Sequence, residues 1–241
     1  NFKLKEFISA ETKQSLSTLN QIGVEFSNYS SGFPNDELSI KKYSTSLDWS
    51  KPWNAGAQLS GICIFNSFTN NKNKIRKIID DILKELVQND GAYYKGKNIG
   101  DSEKINGAMK VITGMDWLGL EIHKPDELID ICLSHKPNSE GCDLVDVVYV
   151  LFKCSQLTEY RKEDIEIYLE SLLPSIMSHY HSDYGGFSYF KNKSQTHYYG
   201  VEISNGYNAP DIHGTTLLVW ALAMIFRILG DDYPNWSIIK P

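Results

Sequence analysis

Four side chains in the second half of the chain could perform acid–base chemistry. Asp143 and Asp146 lie three residues apart in an apolar segment, so on a helix their carboxylates share one face. Asp211 and His213 stand at the start of a second apolar segment, and an imidazole titrates near neutral pH. Each acid has two interpretations. It is either a cap or first-turn residue that stabilises a helix, or a pocket residue with a perturbed pKa.

Further polar and aromatic residues mark places where a ligand could bind. Some stand at the start of two earlier segments rich in small and apolar residues: Trp53, Asn54, Gln58, Asn106 and Lys110. Others are tyrosines in the loops of the C-terminal part: Tyr184, Tyr198, Tyr199 and Tyr207. Loop aromatics either staple neighbouring hairpins together or stack on a flat, apolar or sugar ligand. We predict these nine residues as ligand-binding candidates.

The spacing of apolar residues predicts that helices position these side chains. In Asn73–Asn89 the apolar residues recur every three or four positions, with charged residues on the opposite face, which is typical of an amphipathic helix. Glu163–Tyr180, Leu4–Leu19 and the shorter Pro125–Leu133 follow the same pattern. By contrast, Leu144–Phe152 and Leu217–Ile228 are apolar on nearly every side, so we expect them to be buried all round.

Two more segments, Ala55–Phe68 and Gly107–Leu118, combine apolar residues with glycines. Their glycines would allow close backbone contact between helices, and they are Gly56, Gly61, Gly107 and Gly114. Glycine inside an exposed helix costs about 1 kcal/mol relative to alanine, so glycines at these positions indicate a packing role.

Amphipathic and fully apolar helices alternate along the chain at a period of roughly 40–60 residues, which predicts a repeat of helical hairpins. We therefore predict an all-α fold, an α/α toroid of antiparallel hairpins with inner and outer helices. The readable hairpins are fewer than a closed ring needs, and the chain begins at Asn1 without Met. We expect a ring that is partial, shortened at its N-terminus, or complete with some hairpins that the sequence pattern does not reveal, with residues 1–241 as one domain.

The composition excludes several classes of function. The chain has 241 residues, is 41% apolar and 22% charged, and carries a net charge of −6, which is typical of a soluble globular protein. Its pI near 5.5 and scattered lysines argue against nucleic acid or an anionic membrane as the main partner. No apolar run reaches the ~18 residues of a membrane-spanning helix, so no integral membrane segment is expected.

The cysteines predict neither a metal site nor a disulfide framework. Cys63, Cys132, Cys142 and Cys154 each stand singly in apolar, helix-like stretches. We interpret them as buried thiols, which favours a cytoplasmic address over an oxidising compartment. No cofactor is expected.

Three short motifs resemble the closing half of the α/α toroids formed by protein prenyltransferase β-subunits and terpenoid cyclases. They are Leu144–Asp146, Gly185–Phe187 and Asp211–Thr215. In the prenyltransferases this region binds zinc through an aspartate, a cysteine two residues later and a histidine. The resemblance matches Asp146 to the aspartate and His213 to the histidine. Because Val148 stands at the cysteine position, the zinc site would lack its thiolate.

Three functions stay open on the sequence. The resemblance implies a prenyltransferase- or cyclase-like protein that binds an apolar or isoprenoid ligand in an aromatic pocket, with Asp146 and His213 as acid–base groups. The second is a glycoside hydrolase or lyase that uses two of the carboxylates Asp143, Asp146 and Asp211. The third is a helical-repeat module that binds a protein partner and has no catalytic role.

Overall fold

The chain folds as an all-α protein. The computed structural model describes residues 2–25, 32–231 and 237–241, with side chains from Ile8 onward. Within the described residues the helices are α1 (Phe2–Gln21), α2 (Glu37–Ser46), α3 (Pro52–Ser67), α4 (Lys72–Leu86), α5 (Asp101–Leu118), α6 (Pro125–Ser134), α7 (Gly141–Cys154), α8 (Lys162–Met177) and α9 (Ile212–Leu229).

Short strands occur only in the connection between α8 and α9, as far as the described residues go. β1 (Tyr180–His181) pairs with β2 (Gly186–Phe187), and β3 (His197–Tyr198) pairs with β4 (Val201–Glu202). Both pairs are antiparallel hairpins two residues long in each strand. The apolar spacing of the sequence does not predict these strands.

The helices are grouped in two compact units. One comprises Ile8–Glu127 with Ile239–Pro241, and the other comprises Leu128–Ile238 with Asn1–Phe7. In the first unit α3 packs along α5, while α4 packs against α2 and α3. In the second unit α7 packs along α9, and α8 packs against both.

Burial confirms the amphipathic pattern in α4 and α8. α4 buries the stripe Ile75, Ile78, Ile79, Leu83 and Leu86 and exposes Lys74, Lys77 and Lys84. α8 does the same with Ile165, Leu169, Leu172 and Ile176. α3, α5 and α7 are buried at most positions, as the sequence predicts for its second class of helix.

The prediction that α9 is buried all round is wrong. It buries one stripe, Gly214, Leu218, Ala221, Met224 and Ile225, against α7, α8 and β2. Ile212 is 89% exposed and Val219 is 41% exposed. α7, α8 and β2 lie against one side of α9, so its other side is exposed.

α9 also begins five residues before the apolar run that starts at Leu217. At 18 residues it is, within the described chain, long and apolar enough to cross a membrane by length and composition, and 28% of it is buried. Core helices of soluble proteins share this length and composition.

Close packing of α3 on α5 depends on glycine. A Cβ added to Gly107 would lie 2.6 Å from Pro52 Cβ, and one added to Gly56 would lie 2.8 Å from the Gly107 carbonyl oxygen. A Cβ on Gly114 would meet Cys63 Sγ at 3.0 Å. At Gly61 the nearest atom would be Phe65 Cε2 at 3.8 Å, an ordinary contact. The packing role is therefore confirmed for three of the four glycines but not for Gly61.

We expect Gly107→Ala to lower the free energy of unfolding by about 1–3 kcal/mol, because the new methyl group has to displace α3. Gly61→Ala is the matched control on α3. It should leave stability unchanged or raise it by up to about 1 kcal/mol, since alanine favours the helix and meets no close atom. Urea unfolding of both variants measures the difference. Equal effects of the two substitutions would contradict this role of Gly107.

Candidate functional site

The carboxylate of Asp211 fixes the loop that precedes α9. Asp211 is the N-cap residue of α9, and its Oδ1 accepts a hydrogen bond from the Gly214 amide at 2.7 Å. Its Oδ2 accepts two more, from the Tyr189 amide at 2.8 Å and the Gln195 amide at 3.0 Å. Of the two interpretations of Asp211, the geometry supports the structural one, because both oxygens are occupied by backbone donors.

Gly214 brings the start of α9 against the segment after β2. A Cβ at this position would lie 2.3 Å from the Tyr189 nitrogen and 2.5 Å from the Ser188 carbonyl carbon, so only glycine fits. Thr215 Oγ1 continues the contact, accepting from the Phe187 amide and donating to the Phe187 carbonyl, both at 3.0 Å. The motif Asp211–Thr215 therefore anchors α9 to the backbone of residues 187–189.

His213 lies in an aromatic environment next to this anchor. Its Nδ1 is 2.5 Å from Gln195 Oε1. An amide oxygen can only accept, so Nδ1 carries the proton and the neutral ring has its lone pair on Nε2. The ring stacks on Tyr189 with centroids 5.2 Å apart, and Tyr198 meets it edge-on at 5.4 Å. This arrangement orients an imidazole that can accept a proton or a hydrogen bond through Nε2.

Tyr199 continues this group of aromatic rings towards solvent. It packs edge-on against Tyr198 with centroids 4.8 Å apart, and it is 38% exposed. Tyr199 and Gly200 are the two turn residues between β3 and β4, and both have positive φ, 47° and 74°. Such a turn matches the twist of a hairpin, but it is uncommon for a bulky residue. We name His213, Gln195, Tyr189, Tyr198 and Tyr199 the His213 cluster.

Cys142 borders this cluster, and the prediction that all four cysteines are buried is wrong for this one. It is the second residue of α7 and is half-buried, whereas the other three cysteines are buried as predicted. Burial, and after it the neighbouring Cys142, raises the pKa of the Tyr189 hydroxyl well above its usual range. Tyr189 therefore stays a neutral phenol that can donate to the Cys142 sulfur.

The other two candidate carboxylates, those of Asp143 and Asp146, belong to the unit Leu128–Ile238. Asp143 is 4% exposed, and its Oδ2 accepts from the Asn138 amide at 2.6 Å and contacts His135 Nε2 at 3.3 Å. Asp146 is fully buried on α7, within a helix that is otherwise almost entirely apolar. Neither side chain faces solvent in the way that an open sugar-binding cleft requires.

The five candidates of the first unit lie on α3 and α5. Gln58 donates to Asn54 Oδ1 at 2.5 Å and accepts from the Tyr43 hydroxyl at 3.3 Å. Trp53 places its backbone amide 3.1 Å from Glu103 Oε1. Asn106 is 2% exposed, four residues before the half-buried Lys110 on α5. Burial, followed by the nearby Lys110 ammonium, lowers the pKa of Lys13 to about 8.

The structure brings together some predicted residues and not others. His213, Asp211, Tyr198 and Tyr199 come together in one place, with Tyr189 beside them. Tyr184 and Tyr207 are 70% and 67% exposed, and among the described residues no ring contact or hydrogen bond joins either to His213. Sequence reasoning missed Gln195 and Cys142. Gln195 precedes His213 by 18 residues in an irregular loop, where no periodic signal marks it.

The donor set does not fit the zinc site that the resemblance implies. Val148 occupies the position of the thiolate, and Asp146 is fully buried. His213 Nδ1 is already bonded to Gln195. Among the described residues no three His, Cys, Asp or Glu side chains form a group that could hold a metal ion.

Comparison of the chain with family models, with curated proteins and with solved structures gives no match.

We expect Asp211→Asn to destabilise the protein by about 2 kcal/mol, because the single carbonyl oxygen of asparagine cannot accept from all three amides and at least one of them is left unsatisfied. The control is Asp36→Asn at the N-cap of α2, where Asp36 Oδ1 accepts from the Ser39 amide and Oδ2 accepts from the Ser39 hydroxyl. Asparagine is as good an N-cap as aspartate, so Asp36→Asn should change little. Chemical denaturation compares the two. A small effect at both caps would contradict the role of Asp211.

Proposed function

We propose that the chain binds an apolar ligand of the isoprenoid type at the His213 cluster. The supporting observation is the packing of the His213 ring between Tyr189 and Tyr198, with Gln195 fixing its tautomer. Aromatic side chains provide large apolar contact area at low conformational cost, and a single oriented polar group gives a ligand its orientation. Tyr199 would form the outer edge of the site.

His213 Nε2 is the group that we propose for acid–base chemistry on that ligand. An imidazole whose Nδ1–H is held by an amide oxygen presents a lone pair in a fixed direction. A positioned general base typically contributes about 10²–10⁴-fold to a rate. Asp211 acts through the backbone of Tyr189 and Gln195, so it is a positioning residue and not a second catalytic acid.

We also propose that the helices belong to an α/α toroid like that of the protein prenyltransferase β-subunits and terpenoid cyclases. The support comes from burial within each unit. α3, α5 and α7 are buried at most positions, as inner helices would be, while α4 and α8 expose a polar face, as outer helices would. The motif Asp211–Thr215 at the start of α9 carries the resemblance, and its side chains have defined structural roles.

The paired-carboxylate alternative has no comparable support, because the oxygens of Asp211 accept three backbone bonds and Asp146 is fully buried. A role as a protein-binding module has one favourable observation, the exposure of Ile212 and Val219 on α9. Clusters of exposed apolar side chains mark interaction surfaces. This second function predicts that Ile212→Ser and Val219→Ser abolish partner binding and leave ligand binding unchanged.

Titration with farnesol, followed by intrinsic fluorescence, tests the proposed ligand class. We expect saturable binding that weakens at least about tenfold in Tyr198→Ala and in His213→Ala, a loss of about 1.4 kcal/mol. Tyr184→Ala is the control, since Tyr184 is exposed and outside the cluster. It should bind farnesol like the unmodified chain. Lack of saturable binding, or equal losses in all three variants, would refute the proposal.

A further inference from the structure

A pocket of about 530 Å³ lies within the unit Ile8–Glu127, which contains no residue of the His213 cluster. It is bordered by one flank of α4 and by the connection from α5 to α6. Its lining residues are Asn73, Arg76, Lys77, Asp80, Lys84, Leu120, Glu121, Ile122 and His123. We name it the α4 groove. Its volume is within the range of about 300–1,000 Å³ that is usual for small-molecule sites.

One wall of the α4 groove is held rigidly by a buried tyrosine. The Tyr93 hydroxyl accepts a hydrogen bond from the His123 amide at 3.2 Å and lies 3.2 Å from His123 Nδ1. His123 Nε2 in turn lies 3.2 Å from Asp80 Oδ1. Because a carboxylate only accepts, Nε2 carries the proton and Tyr93 donates to Nδ1. Tyr93 is fully buried, so the loop is fixed from the core.

The opposite wall carries positive charge. The lining has three basic residues, Arg76, Lys77 and Lys84, against the two acids Asp80 and Glu121, a formal balance of +1 in a chain of net charge −6. Asp80 is already compensated by Lys84 at 2.5 Å. Partial burial alone would raise the pKa of Asp80, but Lys84 and His123 together hold it below its usual value.

Arg76 and Lys77 differ from Lys84 in their ion pairing. Within residues 2–25, 32–231 and 237–241, neither makes an ion pair, although both line the groove. A guanidinium presents a planar fork that binds two oxygens of a phosphate, and an ammonium adds a point charge. Leu120 and Ile122 provide apolar surface beside these cations.

We propose that the α4 groove binds the phosphate group of a small organic molecule. Arg76 and Lys77 bind the phosphate oxygens, the wall fixed by Tyr93 and His123 shapes the groove, and Leu120 and Ile122 contact the organic part. This site uses no residue of the His213 cluster, so it does not depend on the function proposed for that cluster.

Isothermal titration at constant ionic strength tests the site with three probes: inorganic phosphate, phenyl phosphate and acetate. We expect phenyl phosphate to bind more tightly than phosphate, because its ring contacts Leu120 and Ile122. The double variant Arg76→Gln with Lys77→Gln should lose at least about tenfold in affinity for both phosphates. The control pair Lys42→Gln with Lys74→Gln removes the same charge from α2 and α4 outside the groove, and it should retain binding.

Tyr93→Phe distinguishes a built site from general attraction to basic residues. It removes no charge, but it releases His123, so we expect phenyl phosphate to bind several-fold more weakly while the fold is retained by circular dichroism. Unchanged affinity in Tyr93→Phe would overturn the proposal. So would equal losses in the two double variants, binding of acetate as tight as phosphate, or no binding of either phosphate.

Discussion

The C-terminal part of the chain depends on the hydrogen bonds of one carboxylate. Asp211 holds the first turn of α9 through Gly214, the segment after β2 through Tyr189, and the following loop through Gln195. These three amides come from different parts of the sequence, yet they meet at one side chain. A carboxylate can satisfy them because it only accepts hydrogen bonds, and each amide left without a partner would cost about 1–3 kcal/mol if buried.

The same bonds explain the position of His213. Gln195 is placed by its own amide, and its side chain then reaches His213 Nδ1. Tyr189 is placed in the same way, and its ring stacks on the imidazole. Gly214 permits this arrangement, since any side chain there would collide with the backbone at residues 188 and 189. Asp211 therefore has a structural role in this motif, and His213 is the residue of the motif that we propose for function.

Local patterns in the sequence predicted the helices, and non-local contacts explain what was missed. The stripe of α4 and the proline that begins α6 are visible in short windows of sequence. α2 was missed because it has few apolar residues, although the capping box of Asp36 and Ser39 marks its start. The burial of α9 was overestimated, since composition does not reveal how many neighbours a helix has. Gln195 and Cys142 gain their surroundings only through tertiary packing around Tyr189.

Long-range ¹⁵N–¹H NMR of the histidine side chains identifies which ring nitrogen of His213 carries the proton, and so it tests whether Gln195 fixes the tautomer of this ring. At a pH where the ring is neutral, we predict a protonated Nδ1 and an unprotonated Nε2 whose resonance shifts when an isoprenoid alcohol is added. Gln195→Ala should remove the preference for this tautomer. A proton on Nε2 in the unmodified protein, or a tautomer insensitive to Gln195, would contradict the role of Gln195 in orienting His213.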